Sequence, residues 1–153
     1  MNDIERLTIT EDIRRVMARY VRYADGQRWE DLAGLFTTAG TFTPHKVDGS
    51  VWLQMSGRAG IAKSLASTVA SPADVYIHHL GSSEVEVTSA NTATGIFNMD
   101  DRIFRAERGE GVAGDADFST MEGYGHYHGE FVKIDGAWYI AKLTQTRLRL
   151  TFS

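Results

Sequence analysis

Two acids and a histidine pair carry the proton chemistry this chain could perform. The first acid is Asp25, in Tyr20-Val21-Arg22-Tyr23-Ala24-Asp25-Gly26-Gln27-Arg28-Trp29-Glu30-Asp31-Leu32. Ile13, Val16, Met17, Tyr20, Val21 and Ala24 fall at the spacing of one buried helix face, with Arg14, Arg15, Arg19 and Arg22 on the other. Thr8 with Glu11 fits a capping box at the start, and Gly26 fits the left-handed residue just past the end. Asp25 is thus placed in the last turn, at the edge of the apolar face and beside the negative pole of the dipole. A carboxylate there is disfavoured by ~0.3–1 kcal/mol. Such a carboxyl is expected to hold its proton more tightly than an exposed one, which suits a proton-transfer group. A solvated Asp before a Gly turn is the other reading of the same residues.

The second acid is Asp101. From Thr94 to Arg105 the period is two, and one face reads Gly95, Phe97, Met99, Asp101, Ile103. Burying an isolated carboxylate is expensive, so an acid in this company is paired, protonated or lines a cavity. A bulge that turns Asp101 to water is the alternative. His78 and His79 are adjacent, so in a strand they point to opposite faces and only one can share a pocket with the acids. Histidine titrates near neutral pH and serves as acid or base; a hydrogen-bonded structural role stays open for either.

Other polar residues carry less. His126 and His128 share a strand face and could chelate a metal, but Glu130 follows too closely for the cupin spacing and no third ligand stands out, so no metal is expected. Their expected place is the outer sheet face, with Tyr127 turned inward beside Gly125 and Gly129. Arg147 and Arg149 alternate with Leu148 and Leu150; one of them could reach an anionic group, but exposed acidic partners are the expectation. Gly109 to Gly114 spells G-x-G-x-x-G without the strand-then-helix setting a dinucleotide site needs, and is set aside.

The elements that must position these groups follow from the pattern. Trp29, Leu32, Ala33 and Phe36 predict a second short helix. Thr41-Phe42-Thr43, stopped by Pro44, and Val51 to Met55 predict short strands. Ser56 or Gly57 caps a third helix bearing Ile61, Ala62, Leu65 and Val69, ended by Ser71-Pro72. Strands then dominate: Val75–Leu80 and Glu84–Val87 around a break at Gly81, Thr94–Arg105, Ser119–Ile134 and Ala137–Phe152. Arg108 to Asp117 reads as an exposed hairpin loop, and Asp135-Gly136 as a tight hairpin turn. Helices followed by strands predict an α+β fold: three N-terminal helices packed on a strongly curved, mainly antiparallel sheet that encloses a pocket.

At 153 residues the chain is expected to be one domain, residues 1–153. A charged content of 24% and an apolar content of 42% are those of an ordinary globular chain. The net charge of −4 argues against nucleic acid as a partner. With no cysteine, thiolate chemistry and disulfides are excluded, and a cytoplasmic location is expected. No apolar run approaches the ~20 residues of a membrane span.

Taken together, Asp25 to Leu32, Ile77-His78-His79-Leu80-Gly81 and Asp135-Gly136-Ala137-Trp138-Tyr139-Ile140-Ala141 resemble the nuclear transport factor 2-like superfamily, and within it the SnoaL-like and scytalone dehydratase-like branch. The resemblance covers nearly the whole chain. It implies a cone-shaped fold; the superfamily hosts dehydratases, isomerases, cyclases, hydrolases and plain binders. Scytalone dehydratases pair an Asp at the first helix end with a His three residues before a Gly, and Asp25 and His78 match. Ala24, Phe97 and Tyr127 depart from the family's Tyr, second His and Asn, which argues against scytalone itself as substrate. Bile-acid 7α-dehydratases use a Tyr, an Asp, a His and a second Asp; Tyr20, Asp25, His78 and Asp101 are similar in order. The resemblance therefore implies a cofactor-independent lyase that removes water from an apolar cyclic hydroxy-carbonyl compound, polyketide- or steroid-like. His78 would shuttle the proton, held by Asp25; Tyr20 would bond the developing enolate; Asp101 would orient the substrate. Phe97, Met99, Tyr127 and Trp52 would contact the substrate. An isomerase or cyclase, or a binding domain without turnover, are the alternatives. An exposed sheet face further suggests a homo-oligomer, a trimer or dimer.

Overall fold

The structure is a computed structural model that describes residues 1–110 and 117–153. Helix α1 (Asp3–Asp25) buries Ile9, Ile13, Val16, Met17, Tyr20 and Ala24, the face that the three-four spacing predicts. It begins earlier than expected. Asn2 and Glu5 form the capping box, with Glu5 N donating to Asn2 Oδ1 at 2.9 Å and Asn2 N to Glu5 Oε2 at 2.8 Å. Thr8 lies inside the helix and its hydroxyl donates to the Ile4 carbonyl at 2.8 Å. Ile4 and Leu7 are exposed, so these first turns rest on the local cap rather than on burial.

The end of α1 also differs in detail. Gly26 has φ −81, and the left-handed residue is Gln27, with φ 52. Arg28 N reaches Tyr23 O at 2.8 Å and Gln27 N reaches Ala24 O at 3.0 Å, the pair of bonds that closes a helix around a left-handed residue. A non-glycine there is held by its side chain: Gln27 Nε2 donates to the Asp74 carbonyl at 2.8 Å.

Helix α2 (Trp29–Ala33) stops before Phe36, which starts strand β1 (Phe36–Pro44) rather than ending the helix. Strand β2 is only Met55–Ser56; Val51 makes an isolated bridge to His45 instead of a longer strand. Helix α3 (Arg58–Ser67) follows Gly57, buries Ile61 and Ala62, and ends at Thr68, ahead of Ser71-Pro72. The remaining chain is β3 (Val75–Val87), β4 (Thr92–Gly109), β5 (Phe118–Ile134) and β6 (Ala137–Phe152). The break expected at Gly81 is a register shift between Leu80 and Ser83. Asp135 and Gly136, with φ 50 and φ 84, make the tight β5–β6 turn. Much of the loop expected from Arg108 to Asp117, with most of its G-x-G-x-x-G, lies outside the described residues.

The three helices stand against one curved, unclosed sheet ordered β2-β1-β6-β5-β4-β3. Its pairs are antiparallel except β1 with β6. Two consequences matter for function. Strand β3 is an edge strand, so its outward N–H groups need partners from elsewhere. Helix α1 packs on β3, so the end of α1 arrives beside that edge.

Candidate active site

Asp25 meets His78 at this edge. One carboxylate oxygen, Oδ1, accepts two bonds, from the His78 backbone N–H at 2.8 Å and from ring Nδ1 at 2.8 Å. The unfavourable place of Asp25 at a helix C-terminus is thus offset by two donors. A carboxylate only accepts, so Nδ1 carries the proton and Nε2 of the neutral ring is left with its lone pair. The His78 side chain is 12% exposed and that of Asp25 35%. His79 points the other way, 63% exposed, against Asp100 at 3.2 Å. Strand alternation thus separates the two histidines as expected, with His78 inside.

Asp101 lies on β4 directly opposite His78. The β4–β5 register runs unbroken from Thr92 to Phe104, so no bulge turns Asp101 to water, and it is 3% exposed. Its carboxylate is paired: Arg147 donates through Nη1 to Oδ1 at 2.5 Å and through Nη2 to Oδ2 at 2.8 Å. The expectation of exposed partners for Arg147 is corrected by this pair, which buries Arg147 to 9% exposure. Hydrogen bonding to Asp101 and its charge hold the guanidinium above its ordinary range, against the opposing effect of burial, which is the largest. Asp101 Oδ2 stands 3.9 Å from His78 Nε2, beyond a hydrogen bond, so Nε2 faces the carboxylate without being tied to it.

Gly123 makes this pair possible, and residue-type reasoning passed over it. It sits opposite Asp101 on β5, and a Cβ there would meet Arg147 Nη1 and lie 2.6 Å from Asp101 Oδ1. Gly123→Ala is expected to force the ion pair apart and cost about 1–3 kcal/mol in urea unfolding. A parental unfolding midpoint would refute this account. Arg147 itself carried one signal: Leu143, Gln145 and Arg147 alternate inward, and a buried acid on a neighbouring strand requires a cation.

Tyr20, one turn before Asp25 on α1, packs edge-on against Tyr127 of β5 with ring centroids 5.4 Å apart. Burial first, then the neighbouring Tyr127 and Asp101, push the Tyr20 phenol well above its ordinary value. Tyr127 is pushed up as well, burial again first, with Asp101 next. Both phenols therefore stay protonated donors at any working pH. The same shifts fix a stability trend. Unfolded tyrosines lose their proton near pH ~10 while these two keep it. The folded state then binds more protons than the unfolded one, so stability falls as pH rises above ~10, by up to ~1.4 kcal/mol per unit for each phenol. Urea midpoints between pH 9 and 11 should fall more steeply for the parent than for Tyr20→Phe or Tyr127→Phe; equal slopes would refute the assignment.

Tyr20, His78, Asp101 and Arg147 all line one cavity of about 140 Å³. Its remaining wall is mostly apolar, including Leu53, Met55, Leu65, Ile103 and Met121, together with Trp52 and Gln145. Trp52 is where a substrate contact was expected. Phe97, Met99 and Tyr127 are buried to 1–2% exposure but are not among the lining residues; they are core side chains, Phe97 edge-on to Phe131 and Tyr127 behind Tyr20. They support the site rather than face it. His126 and His128 lie partly exposed, alternating with inward Tyr127, and His128 Nε2 is 3.0 Å from Thr146 Oγ1. Among the described residues no cluster of three or more His, Cys, Asp or Glu side chains could hold a metal, and no helix is long and apolar enough to cross a membrane.

The chain belongs to the SnoaL-like domain family, which it matches over residues 5–144. It is 26% identical over 145 residues to the Probable cyclase FGR4 of Gibberella zeae, covering 89% of each chain. Its fold is that of a candidate scytalone dehydratase from Novosphingobium aromaticivorans, with a TM-score of 0.80 at 18% identity over 99% of this chain and 92% of that one. It is also that of a hexachlorocyclohexane dehydrochlorinase, LinA-type3, from Novosphingobium barchaimii, with a TM-score of 0.73 at 22% identity over 99% and 94%. The family match bears out the SnoaL-like part of the resemblance, and the two solved structures share the fold of this chain.

Proposed function

We propose that this protein is a dehydratase that eliminates water from an apolar cyclic hydroxy-carbonyl compound by acid–base catalysis. The observation that carries the reading is His78, whose Nδ1 is held by Asp25 while Nε2 is left free beside an apolar cavity. Nε2 removes the proton on the carbon next to the carbonyl, forming the N–H bond as the C–H bond breaks. The electron pair moves onto the carbonyl oxygen, where the Tyr20 O–H donates to the enolate. The enolate then re-forms the carbonyl, the carbon–oxygen bond to the hydroxyl breaks, and the Nε2 proton leaves with that oxygen as water. Asp25 on one side and Asp101 on the other stabilise the transient imidazolium. Arg147 holds the Asp101 carboxylate in place through two hydrogen bonds. Every proton and electron pair balances within the substrate and these side chains.

The relative named as a cyclase favours a second reading, in which the same proton removal rearranges the substrate without loss of water. Product mass decides between them. Incubation with cyclic hydroxy-ketones is expected to give a product lighter by one water; an unchanged mass with a new retention time selects isomerisation or cyclisation. Tight retention of a ligand with no product at all leaves a binding domain and overturns the enzyme reading.

A further inference from the structure

The inner face of β4 continues past Asp101. Asp101, Ile103 and Arg105 follow one another at alternate positions, and all three line the cavity. Exposure rises along this row: Asp101 is buried, Ile103 and Arg105 are half-buried, and Glu107 is exposed. The row therefore leads from the proton-transfer groups to the open end. Four residues of extended chain carry it roughly 14 Å.

Arg15, Arg28, Arg102 and Arg147 each pair with an acid. Among the described residues Arg105 pairs with none. It lies over the Phe118 ring, 4.0 Å from its centroid, and donates through Nη1 to the Glu110 carbonyl at 2.5 Å. Asp74, a buried acid on this side, is committed to the backbone: it accepts from Ser71 N at 3.2 Å and from Ala106 N at 3.0 Å. Tyr76 lines the same end. Burial first pushes its phenol up, so it stays a protonated donor, and Arg105 is close enough to oppose the shift. At the inner end Arg147 is matched by Asp101, and Asp25 adds a further carboxylate. An anionic ligand group is thus repelled from the inner end and drawn to Arg105.

We infer that Arg105, with the Tyr76 hydroxyl beside it, forms a carboxylate-binding subsite at the outer end of the cavity. A guanidinium seated on an aromatic ring presents a planar fork that matches a carboxylate. One cation balances one negative charge, not the nearly two of a phosphate monoester. Resting on the dehydratase reading for the chemistry at His78, this deepens it: the cyclic hydroxy-carbonyl substrate carries a carboxylate on a short arm, and the charge sets which end faces inward. Arg105 is then a specificity residue, remote from the transferred proton.

The test uses binding, so it stands apart from turnover. Affinities of 3-phenylpropanoate, 4-phenylbutanoate, 5-phenylpentanoate and their neutral primary amides are measured by calorimetry in low salt. At least one acid is expected to bind the parent about threefold to tenfold tighter than its amide. Arg105→Met, which keeps an unbranched chain over Phe118, should bind acid and amide alike; Arg105→Gln decides if that variant does not fold. His78→Gln should keep the gain, so failed elimination and a failed subsite give different results. The inference is overturned if no acid gains over its amide on the parent. It is overturned equally if the gain survives loss of the guanidinium, as when Arg105 only clasps the β4–β5 hairpin, or if His78→Gln abolishes it, which would place the carboxylate at the histidine.

Discussion

His78→Ala is expected to lower turnover of a confirmed substrate by at least ~10²-fold and up to ~10⁴-fold. The imidazole is the group with a free lone pair facing the cavity; Asp101 is committed to Arg147, and Tyr20 stays a neutral phenol. Asp25 acts through the ring it holds. Asp25→Asn should therefore lower kcat as well, and the double variant should be no slower than His78→Ala, because the two act as one unit. Stability should hardly move. In His78→Ala the Asp25 carboxylate keeps its bond to the residue 78 backbone N–H and remains in reach of water, so the change should stay within about 1 kcal/mol. Steady-state kinetics with a thermal melt separates loss of chemistry from loss of structure. Full activity of His78→Ala would sink the mechanism.

The largest stability effect is expected at Asp101. Its replacement by Leu leaves the Arg147 guanidinium buried without a counter-charge, a loss of about 3–5 kcal/mol. That is a large share of the ~5–15 kcal/mol that holds a domain together. Removing both charges at once, as Asp101→Leu with Arg147→Met, should restore most of the loss, since a well-packed apolar pair often matches a buried ion pair. Urea unfolding of the two single variants and the double gives the coupling directly. A cost below about 1 kcal/mol for Asp101→Leu would show that the pair is solvated, and would remove it from the account of the site. The double variant should be stable and still poorly active, having lost the carboxylate that faces His78 Nε2.

What could be read along the chain was local. The apolar stripe of α1 fixed which face is buried and brought Asp25 to the helix end, although the left-handed position passed from Gly26 to Gln27. Alternation put Asp101 inside with Phe97 and Met99, and sent His78 and His79 to opposite sides. Asp135-Gly136 announced its turn. These succeed because helical and strand periods are set by neighbouring backbone geometry.

The rest was decided by pairing between distant segments. Arg147 and Arg149 alternate alike, and only the β6 register tells them apart. Tyr124 pairs with Arg149 and Gly125 with Arg147, so Leu148 is an extra residue, bulged to 68% exposure. Beyond that bulge the inward phase shifts by one: Arg147 stays inside and Arg149 turns out. The same holds for Gly123, whose missing side chain matters only because Asp101 and Arg147 cross above it. Phe97, Met99 and Tyr127 face inward as expected, yet whether an inward side chain lines a cavity or fills the core behind it depends on what packs over it. Residue types and spacing determined the groups available for chemistry and the faces that bear them. Only the tertiary structure joined Asp25 to His78 and Asp101 to Arg147, because register and packing between segments far apart in the chain are set by the whole sheet and leave no mark in any one stretch.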